Sequence, residues 1–122
     1  MKIVISAATD NIYAEIDPRF GRSAYLIWVD TETFEWHSFD NPGIQASGGA
    51  GIKAAQFVAE KGADAIISGD FGPNAFDALS VANIPMYVFG KRDSTVRAIV
   101  NDFKSGKLQA VGKPTRAGEH GH

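Results

Sequence analysis

Apolar residues fall along this chain in two rhythms, and the switches between them predict its elements. Ile3 to Ala7 is an unbroken β-rich run and reads as a buried strand. "SAYLIWVD" (23–30) and "FEWHSFD" (34–40) are aromatic and β-branched runs. Only Thr31-Glu32-Thr33 separates them, which suits a hairpin. The second run alternates, with Phe34, Trp36 and Ser38 on one face and Glu35, His37 and Phe39 on the other, as in a half-exposed edge strand. From about Gly49 to Lys61 the period becomes helical. Ile52, Ala55 and Val58-Ala59 make its apolar face, and Gly62 is a natural stop. "DAIISG" (64–69) is a short apolar run after a helix and predicts a parallel buried strand. In "FGPNAFDALSVAN", Pro73 takes the first helical position and Asn83 ends the helix. "IPMYVFG" (84–90) is another strand. Asp93 is then placed to cap a third helix, in which Val96, Ile99, Val100 and Phe103 recur at helical spacing before Gly106.

The order βββαβαβα predicts an α/β fold around one mixed five-stranded sheet. Residues 1–108 form the domain, and the polar, glycine-rich "QAVGKPTRAGEHGH" predicts a mobile tail over 109–122. With right-handed parallel crossovers, connections 8–22, 40–50, 69–73 and 90–94 gather at one edge of the sheet. Ligands of open α/β sheets favour that edge. All three helix N-termini point there, each expected to offer unpaired N–H groups and partial positive charge.

Composition narrows the function. With 122 residues and 44% hydrophobic content the chain suits one domain with a real core. Twelve basic against fourteen acidic residues argue against a duplex nucleic-acid binder, which needs a basic face. The absence of cysteine excludes disulfides and thiolate ligation from within this chain, and fits a reducing compartment. The first apolar run is too short for a signal peptide, and nothing approaches the roughly 18 apolar residues of a membrane span. A soluble cytoplasmic protein without a membrane partner is the expectation.

Three loops carry the candidate chemistry. In "DPRFGRS" (17–23), Arg19 and Arg22 flank Phe20-Gly21. Guanidinium forks suit oxyanions and can also donate to metal-bound sulfide; equally, these arginines could pair with Asp17 or Asp10 and pin the loop. Phe20 reads as a hydrophobic anchor. "SGGAG" (47–51) opens the first helix: Gly48, Gly49 and Gly51, around Ala50, would let backbone approach a ligand, and Ser47 could cap or donate. Gly49-x-Gly51-x-x-Ala54, with Asp70 further on, only mimics a dinucleotide fingerprint, because a loop rather than a strand precedes it. "SGDFGPN" (68–74) is the third loop. Asp70 could be a ligand or base, or a turn residue, and Asn74 could contact a ligand or simply sit in the first helical turn. His37 reads as structural or solvated. His120 and His122, in "EHGH", make an incomplete metal pair. No Ser-His-Asp arrangement, HExxH motif or P-loop is present. A two-metal nuclease site of Asp10, Asp30 and Asp70 is opposed by Asp30, which belongs at the opposite edge.

In this order "DPRFGRSAYLIWVD", "SGGAGIKAAQFVAEKGADAIISGDFGPNAFDAL" and "IPMYVFG" resemble the dinitrogenase iron–molybdenum cofactor-binding family, the NifX/NifB-type domain, over about residues 1–108. The resemblance implies a ribonuclease H-like α/β/α fold and non-enzymatic binding or carriage of an anionic metal–sulfur cluster. Relatives carry iron–molybdenum cofactor precursors, and one stand-alone type in anaerobes holds a mixed molybdenum–copper sulfide cluster. A cluster-donor or acceptor protein is the implied partner. The implied site is Arg19, Gly21 and Arg22, the loop Ser47 to Gly51, and Gly69, Asp70, Phe71, Gly72 and Asn74. Many relatives place a histidine near Ser47 and some a cysteine at Phe71; lacking both, this chain is expected to hold a pre-formed polyanion through arginines and backbone amides, shielded by Phe20 and Phe71. Histidine-rich tails in several members give His120 and His122 more interest as metal ligands. The rival readings are a nucleotide or phosphate-binding module using the Gly-rich helix start, a hydrolase, and an interaction module with an exposed Trp28 or Trp36.

Overall fold

The computed structural model describes residues 1–90 and 94–115. Strands β1 (Lys2–Ala7), β2 (Tyr25–Asp30), β3 (Trp36–Asp40), β4 (Ala65–Ser68), β5 (Met86–Val88) and β6 (Gln109–Ala110) form one sheet in the order β3-β2-β1-β4-β5-β6. β1, β4 and β5 are parallel, while β2 runs against both of its neighbours and β6 runs against β5. Helices α1 (Ala50–Glu60) and α2 (Pro73–Val81) cover one face and α3 (Val96–Lys104) covers the other. The fold is therefore α/β and three-layered, and the mixed sheet follows expectation except in its strand count. No helix among the described residues is long and apolar enough to cross a membrane.

The strand alternation explains the layers. Along β1, Ile3 and Ile5 face α3 with Ile27, Ile67, Ile99 and Val100, whereas Val4 faces the other way with Leu26, Ile66, Val58 and Leu79. All of these are buried. Burying a side chain of this kind stabilises a fold by roughly 1.5–3 kcal/mol. Two such layers, one on each side of the same strands, make the sheet a rigid platform for the loops at its ends.

Four sequence expectations need correction. β3 begins at Trp36 rather than Phe34, because Phe34 adopts a left-handed backbone (φ 64°) that closes the hairpin turn. In that turn Asp30 accepts the Glu32 and Thr33 amides, 2.9 and 3.4 Å away. The Glu32 bond leads in holding its carboxyl below the usual carboxylate range. The cap of α3 is not Asp93, which lies outside the described residues, but Thr95, whose side chain accepts the Ala98 amide. The sheet has six strands, not five, since Gln109–Ala110 pairs with β5. Residues 109–115 thus belong to the fold rather than to a tail. Val111 continues the pairing through its amide to the Met86 carbonyl (2.9 Å), and Thr115 bonds to Phe71. Their polar composition hid this, because an edge strand can be held by backbone bonds without apolar side chains.

Candidate functional site

The ends of β1, β3, β4 and β5 point to one edge of the sheet, as the topology predicts, and Asp30 ends β2 at the opposite edge, opposite Lys2. A cleft of about 520 Å³ opens at the first edge. It is lined by Arg19, Phe20, Gly21 and Arg22, by Ser47 to Gly51, and by Asp70 and Gly72 to Ala75. The three loops singled out in the sequence therefore converge. Two members of the expected set do not line the cleft. Gly69 packs under Pro18, where an added Cβ would sit 2.3 Å from the proline Cβ. Phe71 is fully buried, its ring 5.4 Å from that of Phe20. Pro73 and Ala75 are lining residues that the sequence reading missed, although Pro73 at a helix start on the rim was a legible signal. His120 and His122 lie outside the described residues.

The arginine loop is built from buried polar pins. The Ser6 hydroxyl donates to the Asp17 carbonyl (2.6 Å) and pairs with the Ser68 hydroxyl (2.7 Å), which donates to the Pro18 carbonyl (3.2 Å). Both serines are buried, so these bonds root the loop in the ends of β1 and β4. Asn41 does the same from the far side. Its amide donates to the Phe20 carbonyl (2.9 Å) and the Ser23 hydroxyl (3.1 Å), and its side-chain oxygen accepts the Gly43 amide (3.0 Å). Asn41 was also missed, though an Asn before Pro-Gly is an Asx-turn signal.

Both arginines help to pin loops at the cleft, Arg19 its own and Arg22 the one that leads to α1. Arg19 holds Asp17 through Nε (3.1 Å) and Nη2 (2.9 Å), so of the two partners open to it in the sequence the structure selects Asp17. These hydrogen bonds, and then the carboxylate charge, raise the pKa of a guanidinium already charged at every working pH. Its side chain is nonetheless 67% exposed on the cleft. Arg22 donates from Nη1 to the carbonyls of Gly43, Ile44 and Ala46 at 3.1–3.4 Å, which ties the approach to α1 in place.

The helix ends divide unevenly. α1 starts from Gly49 in a left-handed conformation (φ 70°) with no side-chain cap, so Ser47 does not cap it. α2 starts from Gly72, again without a side-chain cap. Their first-turn amides have no intrahelical acceptor and border the cleft. α3 also starts at this edge, but its first amides are taken. Val96 and Arg97 donate to the Ala14 and Ile12 carbonyls (both 2.9 Å), and Thr95 accepts the third. The expected triple rim is a double one.

The glycines of "SGGAG" split the same way. A Cβ on Gly48 or Gly49 would meet nothing within 4 Å, so both leave open space beside the cleft. Gly51 instead packs on α2, where a Cβ would come within 2.8 Å of the Ala75 Cβ. It therefore serves close helix contact as well as lining the cleft. Gly21 answers it from the arginine loop, packed against the Gly51 amide. The site holds, among the described residues, two cationic side chains and one carboxylate, that of Asp70, whose backbone amide donates to the Pro18 carbonyl at 3.0 Å. Among the described residues no group of three or more His, Cys, Asp or Glu is placed to hold a metal ion. What the cleft can do is accept an anion through amides and guanidinium groups over the apolar floor of Phe20.

Comparison with known proteins agrees with this shape. A family model described as dinitrogenase iron–molybdenum cofactor matches residues 1–106. The apo form of the orange protein from Desulfovibrio gigas is similar at 35% identity, with 94% of this chain and 96% of that one covered and a TM-score of 0.87. A putative NifB protein from Thermotoga is similar at 29% identity, with 96% and 98% covered and a TM-score of 0.81. No curated protein matches the chain.

Proposed function

The chain belongs to the dinitrogenase iron–molybdenum cofactor family, and from that membership we propose that its cleft binds an anionic metal–sulfur cluster as cargo. The cluster is of the iron–molybdenum or molybdenum–copper sulfide type. The protein acts as a non-enzymatic carrier that exchanges cargo with a donor or acceptor protein. The observation that carries this reading is the donor set. Among the described residues, two helix starts without side-chain caps and two arginines meet in one cleft with no histidine in its lining, and the chain has no cysteine. Such a set suits outer-sphere hydrogen bonding to the sulfides of a pre-formed anion, not capture of a bare metal ion. Phe20 closes the floor against water, and Phe71 backs it. The strand order, with β2 reversed against its neighbours, supports reading the fold as ribonuclease H-like.

The same helix starts would suit a phosphate, so the test sets the two ligands side by side. Tetrathiomolybdate with copper raises the melting temperature, by an amount that grows with the logarithm of its concentration over its Kd, and nucleotides do not. The reverse result would favour a nucleotide or phosphate module. Arg19→Ala combined with Arg22→Ala lowers affinity for the thiomolybdate probe by roughly 10- to 100-fold, the loss expected for hydrogen bonds to a charged group. The domain stays folded, because both side chains lie outside the core. Unchanged retention in the double variant would sink the site assignment.

A further inference from the structure

The wall of the cleft after β4 is held from outside by a residue beyond the span that the family model matches. Phe71 sits between the lining residues Asp70 and Gly72. Its amide donates to the Thr115 hydroxyl (2.7 Å), and its carbonyl accepts the Thr115 amide (3.0 Å) and, more weakly, the Thr115 hydroxyl (3.4 Å). Both backbone polar groups of one residue, in the two peptide units that flank its Cα, are thus satisfied by one threonine 44 residues away. On the inner side the same turn is held by the Asp70 amide on the Pro18 carbonyl. The strap that delivers Thr115 leaves β6 at Ala110 and crosses the α1–α2 side, where Val111 packs against the core. Gly112 to Thr115 are themselves exposed. The family model ends at residue 106, before β6 and the strap.

We infer that Thr115 is a positioning residue for the cleft: it fixes the Phe71 peptide and through it sets both walls. Along the backbone it fixes Asp70 and Gly72, and hence the open start of α2. Through the Phe71 ring it presses Phe20, whose neighbour Gly21 abuts the start of α1. A short exposed strap makes few contacts, so it opens more easily than the sheet it spans. The geometry of an anion site is sensitive to such support, because amide donors count only when aimed.

The ligand arm of the test rests on the cluster-binding reading; a ligand-free arm does not. Thr115→Val keeps shape and removes the hydroxyl, while Thr115→Ser keeps the hydroxyl. Titrated with tetrathiomolybdate and copper, Thr115→Val binds roughly fivefold more weakly, the loss expected for one part-buried hydrogen bond. Thr115→Ser binds within about twofold of the parent. In the ligand-free protein, Thr115→Val shifts the amide resonances of Asp70, Gly72, Asn74 and Gly21 and leaves those of α3 unmoved. Equal binding by Thr115→Val and the parent, or a serine variant as weak as the valine one, would overturn the inference. If the parent protein binds no thiomolybdate, the cargo reading fails, and the resonances alone decide the role of Thr115. Shifts confined to the strap would then refute it.

Discussion

The starts of α1 and α3 stand at the same edge of the same sheet, yet only one of them leaves its first amides uncapped beside the cleft. α3 has a threonine cap and lends its next amides to the carbonyls of Ala14 and Ile12. α1 begins at an uncapped left-handed glycine and opens on the cleft beside the equally uncapped α2. The lesson is that a helix N-terminus attracts an anion only where the protein leaves its donors unsatisfied. Position on the rim is necessary but does not suffice.

The strongest way to break the comparison is to displace the open end. A Cβ on Gly43 would lie 2.5 Å from both the Ala50 and the Gly21 carbonyl oxygens. Gly43→Ala therefore costs about 2–3 kcal/mol of stability, since backbone on both sides must move. It should also weaken binding of the thiomolybdate probe. Chemical denaturation measures the first effect, and titration of the surviving folded protein measures the second. A variant as stable as the parent would show that the α1 start is not packed on the arginine loop as described.

Next in size is the closed end. Thr95→Ala removes the cap of α3 and costs about 1 kcal/mol, but probe affinity stays where it was. Were affinity to change as much as stability, the two helix starts would not be independent, and the contrast between them would lose its meaning. The smallest expected effect sharpens the charge of the cleft itself. Among the described residues that line it, Asp70 is the one acidic residue. Asp70→Asn should bind the anion a few-fold tighter, about 0.5–1 kcal/mol for one partly exposed charge, and the gain should shrink with added salt. Tighter binding and slower release would mark Asp70 as a residue that keeps the cargo exchangeable. Weaker binding would make it a direct contact instead.

Much of the fold was legible before any coordinate. The runs at Ile3–Ala7 and 64–69, and the helical spacing from Val96 to Phe103, mark their elements because burial on one face demands that periodicity. The gathering of three loops at one edge was legible too, because handedness leaves the chain few ways to connect parallel strands. The sequence was silent where backbone bonds replace side-chain pattern. β6 has two exposed residues and no apolar signature, and Thr115 sits in a stretch that composition reads as a tail.

By itself, then, the chain's pattern determined the α/β class, the strand directions and the cleft's place, since periodicity, turn residues and handedness act locally or follow from chain order. Only the tertiary structure decided what each loop group does there. The Asp17 partner of Arg19, the loop carbonyls held by Arg22, the packing role of Gly51 and the filled amides of α3 all depend on atoms brought together from distant positions. A hydrogen-bond donor in a sequence has many acceptors in reach, and folding selects among them by packing. Whether an amide is left over for a ligand is the remainder of that selection, and no spacing of residues contains it.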